Sequence, residues 1–312
     1  MSKIRTAVIG VGYLGRFHAQ KYALLDEAEL VAVCDTSEEA AGRVARELDT
    51  RALNDYRDLA REVDAVSIVV PTQKHHEVAR HFLDAGVHVL LEKPITSTLE
   101  QARDLVSLAG DKGVVFQIGH LERFNPAVVA LGDVLDRPRF IESHRIAPFN
   151  PRGADVNVVL DLMIHDIDII LDFVRSPVTE IRANGVPVLS SDTDVANARL
   201  QFENGCVANV TASRVSLKSE RRMRIFQEDA YLTIDFQNKT LGIHRRGNGE
   251  MFPGIPEIDS QEMEFEQGDA LLSEIRAFLD SIRNGKPPVV SGEDGLRALE
   301  TAFTITDILG RA

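Results

Sequence analysis

The sequence predicts an α/β protein with two domains. The first is an N-terminal Rossmann-type, doubly wound parallel sheet; the second is a C-terminal α/β domain with a largely antiparallel open sheet. Three observations carry this expectation. Over roughly the first 120 residues, apolar runs without polar alternation are separated by helix patterns, as in a sheet covered on both faces. Gly10-Val-Gly12-Tyr-Leu-Gly15 follows the first of those runs. After about residue 122 strand-like segments follow one another, several with period-two alternation. The 312 residues suit two domains at roughly 150 each, read as 1–122 and 123–312.

Thr6–Ile9 is the first apolar run, and Leu14, Phe17, Leu24 and Leu25 mark a helix after it. Leu30–Cys34 is the second and ends at Asp35. Thr36 with Glu39 reads as a capping box opening a helix over Ala40–Leu48. Ala65–Val70 is stopped by Pro71, and the helix from Lys74 to Ala85 ends at Gly86, as at a glycine C-cap. Val87–Leu91 is stopped by Glu92-Lys93-Pro94; Ser97 with Glu100 forms a second capping box for a helix to about Ala109. Val114–Ile118 is the fifth run.

In the second domain a single long helix, Val158–Val174, precedes strand-like Thr179–Leu189, Val195–Phe202, Cys206–Val215, Met223–Phe226 and Tyr231–Phe236. Ala196, Ala198, Leu200 and Phe202 alternate with Asn197, Arg199 and Gln201 in the manner of a half-buried strand. Gly247–Pro256 reads as a loop, and Ala270–Ile282 and Asp294–Leu309 as closing helices.

Charge and composition exclude several functions. Thirty-five Lys and Arg face 48 Asp and Glu, a net charge of −13, so the chain lacks the broad basic surface that nucleic acid or an anionic membrane requires. No apolar run approaches the roughly 18 residues of a membrane span, and the N-terminus reads as a strand rather than a signal peptide. Cys34 and Cys206 are two isolated cysteines, neither a disulfide framework nor a metal-ligand set. No metal is expected, and a reducing cytoplasm is the expected setting.

The glycines carry the first chemistry. Gly10 permits a tight turn, Gly12 lets the backbone approach a pyrophosphate, and Gly15 lets helix pack on strand. The helix opened by Tyr13 and Leu14 then offers its N-terminal amides to phosphate. Asp35 stands 20 residues past Gly15 at a strand end, where a carboxylate accepts ribose hydroxyls. No arginine follows it, only Thr36 and Ser37, so NAD is favoured over NADP. Ligands of such sheets lie outside the carboxyl ends of the strands. Pro71, Thr72, His75, Glu92 and Lys93 fall there and are read as cofactor-side residues, although His75 could equally cap its helix.

In Val158–Val174, Asp161, His165, Asp168 and Asp172 fall within a wedge of roughly 60°, with Asp166 as the exception on an otherwise apolar circumference. Asp161 and His165 are i, i+4 neighbours, and a carboxylate beside an imidazole can fix its tautomer. The stripe reads as a cleft face with His165 as acid/base; a thin solvated face is the alternative.

Together Gly10–Gly15, Asp35, Pro71 with His75, Glu92-Lys93-Pro94 and Asp161-x-x-x-His165-x-x-Asp168 resemble the Gfo/Idh/MocA oxidoreductases over nearly the whole chain. The resemblance implies a Rossmann domain binding NAD or NADP and oxidation or reduction of a sugar, polyol or related carbonyl. It implies Lys93 near the nicotinamide and the reacting oxygen, His165 as acid/base, and Asp161 on substrate or behind His165. It also implies a homodimer or homotetramer through the C-terminal sheet. Met163 stands where many members have glycine, which implies a bulkier pocket floor.

His120-Leu-Glu-Arg-Phe-Asn-Pro126 and Arg145-Ile-Ala-Pro-Phe-Asn-Pro-Arg152 look like the branch that oxidises UDP-N-acetylglucosamine at C3. Arg123, Asn125, Arg145 and Arg152, with Asp161 and His165, are the substrate-binding residues this implies, the arginines as cations for a pyrophosphate. A free sugar or inositol dehydrogenase and a non-catalytic dinucleotide sensor are the alternatives.

Overall fold

The computed structural model describes residues 2–150, 156–266 and 268–310, residue 133 by its backbone alone. Contacts divide the chain into two units: Met1–Leu121 with Asp269–Leu296, and Glu122–Gly268 with Arg297–Ala312. The second unit begins at Glu122, and both units are discontinuous in sequence.

The first unit begins β1 (Ile4–Ile9), α1 (Tyr13–Leu24), β2 (Ala28–Cys34), α2 (Glu38–Leu48), β3 (Arg51–Leu53) and β4 (Ala65–Ile68). It continues α3 (His75–Asp84), β5 (His88–Glu92), α4 (Leu99–Lys112) and β6 (Phe116–Gly119). The second holds α5 (Pro126–Val129), β7 (Phe140–Ile146), α6 (Ile164–Val174), β8 (Val178–Val186), β9 (Val195–Phe202) and β10 (Val207–Ser213). There follow β11 (Glu220–Phe226), β12 (Ala230–Asp235), β13 (Thr240–Phe252) and β14 (Ile255–Glu264). Then come α7 (Ala270–Asn284) in the first unit and α8 (Gly292–Leu309), which starts in the first and ends in the second.

The first sheet is wholly parallel, in the order β3-β2-β1-β4-β5-β6. The order reverses beside β1, so the carboxyl ends of β1 and β4 flank the crevice where such sheets bind ligands. β3 is a three-residue edge strand with no apolar run, so only five of the six strands are visible in the sequence. Both capping boxes open one residue later than expected. Ser37, not Thr36, accepts the Ala40 N–H at 3.2 Å, and Thr98, not Ser97, accepts that of Gln101 at 3.3 Å.

The closing helix α7 completes this unit. Ile275, Phe278 and Leu279 are buried in one cluster with Ala19 and Tyr22 of α1 and with Val8 and Val33. Removing a Phe278-sized side chain from water contributes about 1.5–3 kcal/mol, one share of what holds the returning segment.

The second sheet runs β14-β13-β12-β11-β7-β10-β9-β8 and is antiparallel except for β7 with β10. β7 escapes a hydropathy reading because its inward face is Ile141, Ser143 and Arg145. The expected loop Gly247–Pro256 is instead the tip of the β13–β14 hairpin; its register shifts between Arg246 and Phe252, around Gly247 and Gly249. The helix expected at Val158–Val174 divides: Val159–Met163 forms a π turn, and α6 follows.

Candidate active site

In the first unit the carboxyl ends of the strands assemble one crevice. Gly10 has φ +85, and a Cβ there would stand 2.5 Å from the Val69 carbonyl oxygen; one at Gly15 would stand 1.8 Å from that of Gly10. Only glycine closes this turn. A Cβ at Gly12 would meet nothing within 4 Å. Gly12 is also the N-cap of α1 and supplies no side-chain cap, so the first-turn amides are left to an anion. Tyr13 and Leu14 beside them are 71% and 52% exposed.

Asp35 is anchored: its Oδ2 accepts the Val11 N–H at 2.8 Å and its Oδ1 that of Ser37 at 2.9 Å. Each oxygen keeps a lone pair for a hydroxyl. The side-chain-free turn, the uncapped helix and the fixed carboxylate fit NAD: the turn would hold its pyrophosphate and Asp35 its ribose. Thr36 and Ser37 are exposed and bring no cation for a 2′-phosphate.

Along the same edge Pro71 is exposed and Thr72 half-buried. His75 differs from the sequence reading. It is buried, and its ring nitrogens lie 2.9 Å from the Val70 and 2.9 Å from the Pro94 carbonyl oxygens. Burial pushes its pKa down. His75 thus braces the two loops that follow β4 and β5 instead of offering a nitrogen to the cofactor. Lys93 is half-buried at the end of β5, and its N–H donates to Glu92 Oε2 at 3.2 Å. Glu92 is turned inward, its Oε1 3.1 Å from His18 Nε2.

In the second unit the polar stripe is divided. Asp161, on the π turn, and His165, on α6, are half-buried. π turns often mark functional positions, because they re-aim side chains by one residue. Met163 beside them is wholly buried in the unit. Asp168 is buried against Arg123, which donates from Nε at 2.7 Å and from Nη2 at 2.8 Å. Arg123 Nη1 lies 3.0 Å from Asp172.

Asp166, the residue outside the wedge, pairs equally closely. Arg145 donates to it from Nε at 3.0 Å and Nη2 at 2.9 Å, and to Glu122 from Nη1 at 2.9 Å. Burial works against the Arg145 charge, but Asp166 and Glu122 outweigh it and hold its proton more tightly. The guanidinium also lies over Phe236, 5.6 Å from the ring centre.

The expected pyrophosphate cations are therefore placed differently. Arg123 and Arg145 brace α6 from inside. Asn125 is likewise structural in its contacts: its Oδ1 caps α5 at the Ala127 N–H, 3.1 Å, and its Nδ2 donates to the Phe236 carbonyl at 3.0 Å. Arg152 lies outside the described residues. A groove of about 610 Å³ lined by Leu171, Arg175, Arg297 and Glu300 lies at the far end of α6 from Asp161 and His165.

The sequence reading missed the carboxylates that employ Arg123 and Arg145, and it missed His18 and Glu274. A signal for Glu274 existed: it interrupts the apolar stripe Leu271, Ile275, Phe278, Ile282.

Two family models match this chain. Residues 4–120 match the oxidoreductase family with an NAD-binding Rossmann fold, and residues 136–233 match the GFO/IDH/MocA C-terminal domain. The chain is 44% identical over 306 residues to a UDP-N-acetylglucosamine 3-dehydrogenase of Acidithiobacillus ferrooxidans, covering 98% of this chain and 97% of the relative. A solved structure of a UDP-N-acetylglucosamine 3-dehydrogenase from that organism superposes with a TM-score of 0.94 at 43% identity, over 100% of this chain and 99% of the other. A scyllo-inositol 2-dehydrogenase (NAD⁺) of Bacillus subtilis is 27% identical over 98% of this chain and 94% of its own. With the glycine turn, the Asp35 anchor and the Glu92-Lys93-Pro94 strand end in place, the chain belongs to the GFO/IDH/MocA family of NAD-binding oxidoreductases.

Proposed function

We propose that this enzyme oxidises C3 of UDP-N-acetylglucosamine with NAD. The observation that carries the reading is the 44% identity, sustained over 98% of the chain, to a relative named for that reaction. Bound NAD⁺ supplies the hydride acceptor; the protein supplies orientation and proton management. Lys93, at the end of β5, takes the hydroxyl proton. His165, oriented by Asp161, shares the acid/base work and contacts the sugar. Arg152 is the cation assigned to the pyrophosphate, since Arg123 and Arg145 are engaged by Asp168, Asp172, Asp166 and Glu122.

That engagement favours one second reading, oxidation of a free polyol, which needs no phosphate cations. NADH formation against UDP-N-acetylglucosamine, other UDP-sugars, free sugars and inositols decides between them. Turnover of the nucleotide sugar supports the first reading; turnover of an inositol without response to any UDP-sugar overturns it. NAD binding with no turnover across the panel would leave a sensor.

We also infer a cytoplasmic setting and a homodimer or homotetramer through the second sheet. Both cysteines are buried free thiols, which suits a reducing compartment. The β13–β14 hairpin exposes Met251, Phe252, Ile255 and Ile258, which suits burial against another copy. Light scattering at working concentration tests the assembly. No helix among the described residues is long and apolar enough to cross a membrane.

A further inference from the structure

The first unit holds a buried cluster that the cofactor crevice does not explain. Among the described residues, His18 of α1, Glu92 of β5 and Glu274 of α7 form the one group of His, Cys, Asp or Glu whose ligand atoms all lie within 4.8 Å of one another. His18 and Glu274 are buried. Both Glu274 carboxyl oxygens and His18 Nδ1 are buried without a hydrogen-bond partner. Helix α7 brings the carboxyl here, and the Glu274 main-chain carbonyl accepts a 3.3 Å bond from Gln117 Nε2.

The two carboxyls are unequal. Burial pushes Glu92 up, but the hydrogen bond and charge of His18, with Lys93 beside it, outweigh burial and keep it below the usual glutamate range. Glu274 has burial and the neighbouring Glu92 charge, which act together to raise it well above that range. The other titratable groups around the pair are Tyr22 of α1, whose phenol is 2.9 Å from Ser67 Oγ and lies near Glu274, and His75 of α3, which feels the charge of Glu92.

We propose that Glu274 is a positioning residue for Lys93: with Glu92 it forms a carboxyl pair that carries one negative charge and one proton beneath the end of β5. The proposal rests on Lys93 as the proton-transfer group. An amine that must both take and release a proton is sensitive to the number of charges beside it. Two carboxylates would hold the ammonium and leave less free base; none would release the proton too readily to serve as base. A coupled pair holds the number near one: without Glu274, Glu92 keeps its charge, and without Glu92 the like charge that opposes ionisation of Glu274 is removed, leaving burial alone against it.

Infrared difference spectra and pH profiles of Glu274→Gln, Glu92→Gln and the double variant test this. The wild type should show the carbonyl stretch of a protonated, buried carboxylic acid at neutral pH, and Glu274→Gln should lose it. In Glu92→Gln the band should titrate away at lower pH, because Glu274 no longer faces a charged neighbour. The acid limb of kcat/KM should move by less than about a quarter of a unit in each single variant, and down by about one unit or more in the double, where the charge is gone.

Absence of the band from folded wild type overturns the proposal; a divalent cation holding both carboxylates ionised would give that result, reversed by chelator. Additive shifts in the double variant also overturn it. Circular dichroism checks folding, and if Glu274→Gln fails to fold, the wild-type band and its response to Glu92→Gln decide. The band tests the pair without reference to Lys93. An intact pair with an acid limb indifferent to both carboxyls therefore overturns the positioning role, whereas an error in the Lys93 assignment shows separately as near-normal kcat in Lys93→Ala.

Discussion

Arg123 grips Asp168 through a two-point fork, 2.7 Å and 2.8 Å, with both side chains out of water. Removing Asp168 strips the buried guanidinium of its fork and leaves it only the half-buried Asp172, 3.0 Å away. Asp168→Ala should lower the unfolding free energy in urea by about 3–5 kcal/mol. Arg123→Lys should also destabilise, since an ammonium cannot reproduce the fork. If Arg123→Lys instead keeps the urea midpoint and raises KM for UDP-N-acetylglucosamine, the arginine serves substrate and the bracing role fails.

Asp35 is the residue proposed to govern cofactor choice. Asp35→Ala removes the ribose acceptor and the repulsion of a 2′-phosphate, so NAD affinity should fall and the preference for NAD over NADP should narrow. Isothermal titration with both cofactors measures this. An unaltered preference would place the discrimination elsewhere.

Lys93 and His165 are assigned to proton transfer, which typically contributes about 10²- to 10⁴-fold. Lys93→Ala and His165→Ala should each lower kcat within that range while NAD still binds, because the glycine turn and Asp35 are untouched. Asp161→Asn should cost less if it only orients His165. Folded variants with near-normal kcat would reduce the half-buried stripe to a surface feature.

Asp194 is an acid-sensitive point of the second unit. It is buried, yet its Oδ2 accepts N–H bonds from Val188, Leu189 and Ser190, at 2.8, 2.6 and 2.9 Å, and its Oδ1 accepts Arg214 Nε at 2.8 Å. Burial would raise its proton affinity, but these donors hold the carboxyl far below the ordinary range. A depressed folded-state pKa contributes stability above the unfolded pKa and loses it as pH falls through the folded one. The wild type should therefore weaken progressively below about pH 5, and Asp194→Asn should lack that component of the slope while being less stable at pH 7. Chemical denaturation at several pH values reads both.

The parallel sheet and its crevice were legible because their signals are local. Gly10, Gly12 and Gly15 are fixed by sterics within one turn, and Asp35 by its place at a strand end. The α6 region was only partly legible. Helical periodicity put Asp161, His165, Asp168 and Asp172 on one stripe, but a hydropathy pattern does not say which acid meets an arginine from elsewhere in the chain. Arg123 and Arg145 read as open cations for the same reason: their carboxylate partners lie 45 and 21 residues away. β7 was missed because a serine and an arginine occupy its inward face.

The return of residues 269–296 to the first unit also bears on synthesis. Gln117 and the Glu274 carbonyl are 157 residues apart in sequence yet share a buried hydrogen bond, and Ile275, Phe278 and Leu279 complete a core that β1 and α1 began. A ribosome adding about 5–20 residues per second must make residues 122–268 of the second unit before those side chains exist. The cofactor-binding half is thus started first but completed only after residues 122–268 have been made, and until α7 emerges the nascent chain lacks the side chains that cover the apolar seam along α1.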